Sequence, residues 1–413
     1  MPGAGTKQAI TTSNAPPARC LDVTRLIRRA GRVMTGVDRV EYAYLNRLID
    51  EATPFFALAR TRIGYVLLDR DGARIICEKI AGDDWGALDA LGRLAPQVPE
   101  WRRRAEADLR RHAIARCLPI RLPKMLKRHV PKGCVYLNTG HSNLTNRVIG
   151  AWRHLGDAKI AVLVHDTIPL DHPEYQRPET AKAFRGFLTR VSRAADLVIY
   201  NSRQSRHDAE RHMETMGRIP GAVVALLGVD IPFATPDQLP PDMPCEEPYF
   251  VCVGTIEPRK NHALLLDVWE HLLASDGCVP HLLICGARGW ENEAVFRRLD
   301  DKARWRGRVH ECPSLSDGAI AALLQQSNGA LFPSLAEGFG LPPAEAAAMG
   351  TPVICCDLPV YRDILGDIPI YLKASDPYSW ANKIKEMAEQ RPPHKDYQPP
   401  DWDRHFNLVL NRV

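Results

Sequence analysis

The stretch FPSLAEGFGLPPAEAAAMGTPVICCD, residues 332–357, holds the side chains best suited to chemistry. An apolar run ends at Ser334, a loop carries Glu337 with Gly338, Phe339 and Gly340, and Pro342 and Pro343 then open a helix. Proline fits that position because the first helical N–H groups have no partner within the helix. Amides just ahead of a helix N-terminus form a site for phosphate or other anionic oxygen. Glu345 follows Glu337 by eight positions, so one carboxylate is expected at the loop and another on the first helical turn, where they can hold hydroxyls on either side of a diphosphate. Taken alone, the pair better suits the electrostatics of a helix N-terminus. The glycines and the preceding strand favour the binding reading. A second set, Arg259 and Lys260 in VGTIEPRKNH (253–262), follows another apolar run and offers two cations to an anion.

These residues need a framework, and the pattern of apolar runs describes one. From Leu21 to Asp230, VYLNTG (135–140), IAVLVHD (160–166), DLVIYNS (196–202) and VVALLGVD (223–230) read as buried parallel strands between helical stretches. YVLLDRDGARII (65–76) reads as a hairpin turning at Asp71-Gly72. The six prolines of 231–248 mark a linker. The alternation then restarts with YFVCVGT (249–255), HLLICGA (281–287), VHECP (309–313), GALFPS (329–334) and PVICCD (352–357), with helices expected over 261–275, 290–303, 316–326, from about Pro342, and 379–390. The expected organisation is therefore a disordered tail (1–18), an N-terminal Rossmann-like acceptor domain (19–230), the linker, a C-terminal Rossmann-like nucleotide-sugar-binding domain (249–390) and a segment (391–413) returning to the first domain. The fold class is α/β, with two doubly wound units facing across a cleft.

The Glu337-x7-Glu345 pattern within EGFGLPPAEAAAMGTPVI resembles the signature of the retaining glycosyltransferases of family 4, which have the GT-B fold. VGTIEPRKNH resembles that family's diphosphate-binding segment, RAGRVMTGVDRVEYAYL (29–45) its glycine-containing first loop and helix, and LVHDTIPLDHPEY (163–175) a segment of capsule and O-antigen mannosyltransferases. The resemblance implies that Glu345 binds the donor ribose, that Glu337 contacts the transferred sugar, and that Arg259 and Lys260 neutralise the diphosphate. It also implies that the amides of Gly338, Phe339 and Gly340 hold sugar and phosphate, and that His165 reaches the donor sugar. Gly36 lets the first loop approach the phosphates, and Gly254 and Leu341 complete the donor-binding set. One departure stands out: Thr255 follows Gly254 where many relatives place a further Arg. The implied activity is transfer of a hexose, mannose from GDP-mannose in one version, from a GDP-, UDP- or dTDP-sugar to a glycan or lipid-linked glycan, with no metal and no cofactor. Breaking a sugar–phosphate bond puts negative charge on the leaving diphosphate, so paired cations and helix-terminal amides suit it. A non-catalytic nucleotide-sugar-binding or scaffold protein, or another GT-B enzyme such as an epimerase, is the alternative.

The remaining features set limits. Asp69-Arg70-Asp71, an Asp-x-Asp sequence, falls in the expected hairpin, while His165-Asp166 also reads as a strand-end histidine held by its neighbour, and Asn201-Ser202 as a helix cap. Eleven scattered cysteines without a C-x-x-C pair fit reduced core thiols, with Cys355 and Cys356 in a strand. No apolar run is long enough to span a membrane, and the expected location is cytoplasmic, at the inner membrane face in one reading. Net charge is +5, yet residues 101–132 hold eleven Lys/Arg against two Asp/Glu, a net of +9 that leaves −4 elsewhere. That segment reads as a solvated helical face, as a peripheral contact with an anionic membrane, or as a nucleic-acid surface, the last without any recognised module.

Overall fold

The computed structural model describes residues 15–241 and 243–413. The tail expected over 1–18 lies outside the described residues up to position 14, and Ala18 is fully buried, its carbonyl accepting from the Val135 amide at 3.0 Å. Among the described residues, fourteen strands form two sheets. In chain order they are β1 Arg19–Asp22, β2 Phe55–Arg60, β3 Tyr65–Leu68, β4 Ala115–Cys117, β5 Val135–Asn138, β6 Lys159–Val164, β7 Leu197–Tyr200 and β8 Gly221–Val224, then β9 Tyr249–Val253, β10 His281–Cys285, β11 Val309–Glu311, β12 Gly329–Phe332, β13 Val353–Cys356 and β14 Ile370–Leu372. The described chain divides into two compact units, one comprising residues 15–163, 194–198 and 407–413, the other 164–193, 199–241 and 243–406.

The first sheet has the order β4-β3-β2-β1-β5-β6-β7-β8. Strands β2, β1, β5 and β6 run parallel, whereas β3 and β4 are added antiparallel at one edge. The second sheet, β11-β10-β9-β12-β13-β14, is parallel throughout and has the nucleotide-binding strand order, with its switch point between β9 and β12. Central strands such as β5, β10, β12 and β13 are buried on both faces, which is why they read as continuous apolar runs. Trp269, Trp305 and Trp380 fill the core on that second sheet, each at most 1% exposed. Cys355 and Cys356 do end β13, and all eleven cysteines are free thiols.

Two expectations fail, for local reasons. The hairpin turns at 61–64 rather than at Asp71-Gly72, where Thr61 donates to and accepts from Gly64. Asp69 instead caps the helix Arg70–Gly82 by accepting from the Gly72 amide at 3.0 Å, so the Asp-Gly pair lies in a first helical turn. The apolar run 223–230 also leaves the ladder early: β8 stops at Val224, and Val229 donates to the Pro400 carbonyl.

The basic segment splits into two parts. The helix Glu100–Arg111 spends its arginines internally, pairing Arg102 with Glu106, Arg104 with Glu100, Arg110 with Asp89 and Arg111 with Asp108, while Arg103 donates to the Gly92 carbonyl. The second part, β4 through the helix Leu122–His129, is tied down by Leu122, Met125 and Leu126 and keeps its cations exposed. No helix among the described residues is long and apolar enough to cross a membrane.

Candidate functional site

Because β9 and β12 are neighbours, the loops after them meet at the switch point. The turn Pro258–Lys260 follows β9 and presents Arg259 and Lys260. Glu337 follows β12, and Leu335 donates its amide to the Arg259 carbonyl at 2.8 Å, fastening one loop to the other. Glu337 receives both cations: Arg259 Nη1 lies 2.7 Å from one carboxylate oxygen and Lys260 Nζ 2.6 Å from the other, to which Ser334 Oγ also donates at 2.8 Å. On its other side Arg259 reaches Glu257 at 2.8 Å and donates to the Ala336 carbonyl at 3.1 Å.

The charges in this cluster are buried but compensated. Burial alone would raise the Glu337 carboxyl, yet Arg259 and Lys260 outweigh it and bring it down to about 2. Burial likewise opposes the Arg259 charge, and Glu337, Glu257 and Asp166 together push that guanidinium above its ordinary value. Glu257 and Asp166 lie the other way, since burial raises both despite the attraction of Arg259. Three carboxylates thus lie near two cations in a buried cluster, where removing one partner leaves an unpaired buried charge.

The glycine loop is shaped by what stands against it. Gly340, at φ +99°, ends the loop ahead of the helix Leu341–Ala348, and a Cβ there would sit 2.6 Å from the Tyr361 ring. A Cβ on Gly338 would meet the His165 carbonyl at 2.6 Å and the Asp166 Cβ at 2.9 Å. The Gly338 carbonyl also accepts from Ser202 Oγ at 3.1 Å and Ser205 Oγ at 3.2 Å, while Ser205 Oγ lies 2.9 Å from the His165 carbonyl. Ser202 caps the helix Arg203–Met213 as expected and in addition binds the loop.

The structure therefore gathers Arg259, Lys260, Glu337 and Gly338 tightly, with His165 buried just beyond β6 and packed by its main chain on Gly338. Phe339 is buried, and Gly254 directly follows β9 at φ +143° with the Lys260 side chain against it. Glu345 is half-buried and stands in the second helical turn, not the first. Gly36 belongs to the first unit, where it opens the helix Gly36–Asp50 behind the Thr35–Asp38 capping box. Glu257, Asp166, Ser334 and Ser205 were not among the expected site residues. Glu257, Ser334 and Asp166 stand within three positions of Arg259, Glu337 and His165, a proximity signal in the sequence, whereas Ser205 is brought in only by the fold.

Residues 240–399 match the family model described as Glycosyl transferases group 1. Among curated proteins, the chain is 30% identical over 237 residues to the serotype-specific mannosyltransferase WbdA of Escherichia coli, covering 54% of this chain and 29% of that one. It is 34% identical over 174 residues to the O-antigen chain mannosyltransferase RfbU of Salmonella typhimurium, covering 40% of this chain and 43% of that one. The chain thus spans less than half the length of either relative. Among solved structures, Anabaena HepE in complex with UDP superposes over 96% of this chain and 97% of that one at a TM-score of 0.61 and 15% identity. The α/β class and the GT-B fold are therefore as expected, and the resemblance read from the Glu337-x7-Glu345 pattern holds.

Proposed function

We propose that this chain is a retaining, metal-independent glycosyltransferase that moves a hexose, mannose from GDP-mannose, onto a growing, lipid-linked surface glycan at the cytoplasmic face of a membrane it contacts peripherally. The observation that carries the reading is the Glu337–Arg259–Lys260 cluster at the switch point of an all-parallel sheet, where such sheets bind nucleotides. Similarity to a serotype-specific mannosyltransferase and to an O-antigen chain mannosyltransferase supports the choice of sugar and glycan class.

In this reading the two cations change partners. Arg259 and Lys260 turn from Glu337 to the diphosphate oxygens, which takes up the charge that develops as the sugar leaves. The Glu337 carboxylate is thereby released to accept from sugar hydroxyls. Glu345 holds the ribose, the amides of Gly338, Phe339 and Gly340 hold phosphate and sugar with Leu341 beside them, and His165 approaches the sugar. Gly254 and Gly36 leave room for the phosphates.

The test is incubation with GDP-, UDP- and dTDP-sugars in EDTA, with and without a mannose-terminated glycan. Expected are tightest binding of GDP-mannose, slow release of GDP without acceptor, and faster release with it. Binding with no turnover under any of these conditions would leave a nucleotide-sugar-binding scaffold. Turnover to an isomeric sugar would leave an epimerase.

A further inference from the structure

The second half of the basic segment has a surface that the donor chemistry does not use. From Leu109 to Gly156 the chain contains no Asp or Glu. Within that span Arg116, Arg121, Lys124, Lys127, Arg128 and Lys132 are all exposed, and among the described residues none of the six makes an ion pair. The helix Leu122–His129 explains their common outlook. Leu122, Met125 and Leu126 form its buried side, so Lys124, Lys127 and Arg128 fall on the opposite one, with Arg121 just before the first turn.

Beside this basic face stand two apolar side chains that the fold leaves in solvent. Leu118 is 55% exposed and Ile120 83%, on either side of Pro119 in the turn that leads into the helix. Single exposed leucines are ordinary, but two large aliphatic groups on one turn, with Arg116 and Arg121 beside them in the chain, are not what a plain solvated face requires. The combination matches a surface that lies on lipid, with aliphatic groups entering the acyl boundary and cations at the headgroups.

We infer that residues 116–132 form a docking surface for an anionic lipid bilayer, with Leu118 and Ile120 as the inserted groups and Arg121, Lys124, Lys127 and Arg128 as the headgroup contacts. This sharpens the membrane contact proposed above and rests on that part of it, not on the donor chemistry. It also removes the helix Glu100–Arg111 from the contact, because its arginines are already engaged within the protein. The occupant is a bilayer rather than nucleic acid because aliphatic groups gain nothing from a phosphate backbone, whereas they gain from an acyl boundary.

The experiment is vesicle co-sedimentation of the full chain with phosphatidylcholine alone and with phosphatidylcholine containing phosphatidylglycerol, across a salt series. Binding is expected only to the anionic vesicles and is lost at high salt. A variant with Arg121→Gln, Lys124→Gln, Lys127→Gln and Arg128→Gln should bind at least ~25-fold more weakly, taking about fivefold per cation with half of them at the surface at once. Leu118→Ser with Ile120→Ser should weaken binding by about tenfold while leaving the salt slope unchanged, a response that a purely electrostatic surface would not give. All six positions are exposed, and an unchanged thermal midpoint separates a lost contact from a lost fold. Equal binding to both vesicle types, no binding, full binding by the glutamine variant, or preference for a nucleic-acid duplex at equal salt would each overturn the inference. No sugar nucleotide enters the assay, so it succeeds or fails independently of the transfer reaction.

Discussion

The two sheets of this chain solve one topological problem in opposite ways. Each has a switch point, between β1 and β5 in the first and between β9 and β12 in the second, and each buries carboxylates there. In the first, Asp22 accepts from neutral groups: Tyr136 Oη at 2.7 Å, Asn143 Nδ2 at 2.7 Å and the Thr24 amide at 3.0 Å. Burial raises its carboxyl, and that of Glu41, which accepts from the Leu26 amide. In the second, Glu337 is met by two full charges and its carboxyl falls to about 2. Similar strand orders therefore do not dictate similar electrostatics. A pocket lined by neutral donors suits hydroxyls, whereas one that stores two cations suits a polyanion.

The largest test of this contrast is thermodynamic. Glu337→Gln leaves Arg259 and Lys260 buried with one charge too few, and should destabilise the fold by about 3–5 kcal/mol. Asp22→Asn keeps the shape and disturbs only hydrogen bonds between neutral donors and the carboxylate, so about 1–3 kcal/mol is expected. Urea unfolding of both variants measures the pair, and equal losses would erase the distinction.

Next in size is catalysis. Arg259→Ala or Lys260→Ala should lower turnover by about 10²–10³, more than either weakens donor binding, if the cations act on charge that develops during departure. Normal kcat with a raised KM would assign them to ground-state binding alone. Glu345 sharpens the nucleotide side of the comparison. Glu345→Ala should weaken GDP binding by about 10- to 100-fold with little change in stability, read by calorimetric titration.

The smallest effect is a pair of pH slopes with opposite signs. Glu337 has a lowered folded value, so its contribution is present above its ordinary 4.5 and disappears as pH falls toward about 2. Asp22 has a raised folded value, so the protonated form is favoured in the fold and its contribution is lost as pH rises above its ordinary 3.8. The destabilisation caused by Glu337→Gln should therefore shrink in acid, while that caused by Asp22→Asn should shrink as pH rises. Each slope is at most about 1.4 kcal/mol per pH unit. Buried neutral His262 and His405, at about 3 and about 4, add a background that weakens the fold as pH falls below 6.5. Both variants share that background, so it cancels in the comparison. Parallel slopes would show that the two carboxylates sit in equivalent environments.

The second sheet was far more legible than the first. Its strands β9, β10, β12 and β13 are four or five residues long, apolar on both faces and bounded by helical periodicity, and each fell within the stretch expected for it. Strand β1 is only RCLD, with charge at both ends, and β2, FFALAR, is flanked by a helix whose boundary its apolar residues do not mark. Neither was anticipated. The Asp71-Gly72 pair misled because a turn signal and a first helical turn use the same residues, and only the Asp69 cap distinguishes them. At the site, Glu337, Arg259 and Lys260 could be picked out by type, but their pairing spans 77 or 78 positions and is created by strand order. Ser205 has no local pattern, and Asp166 was legible only as the neighbour of His165; side-chain contacts with Gly338 are what bring them in.

The lengths of the outer strands carry a consequence for the chain in crowded solution. Strands β4, β11 and β14, which end three of the four sheet margins, are three residues each. A margin that short offers too few open N–H and C=O groups to template a ladder with a neighbouring copy. The longest apolar strands are enclosed at the centres of both sheets, away from any such encounter. Colloidal stability at high concentration is thus protected by geometry at the margins, independently of the modest net charge, and lengthening β14 by two or three β-branched residues is the change most apt to undo it.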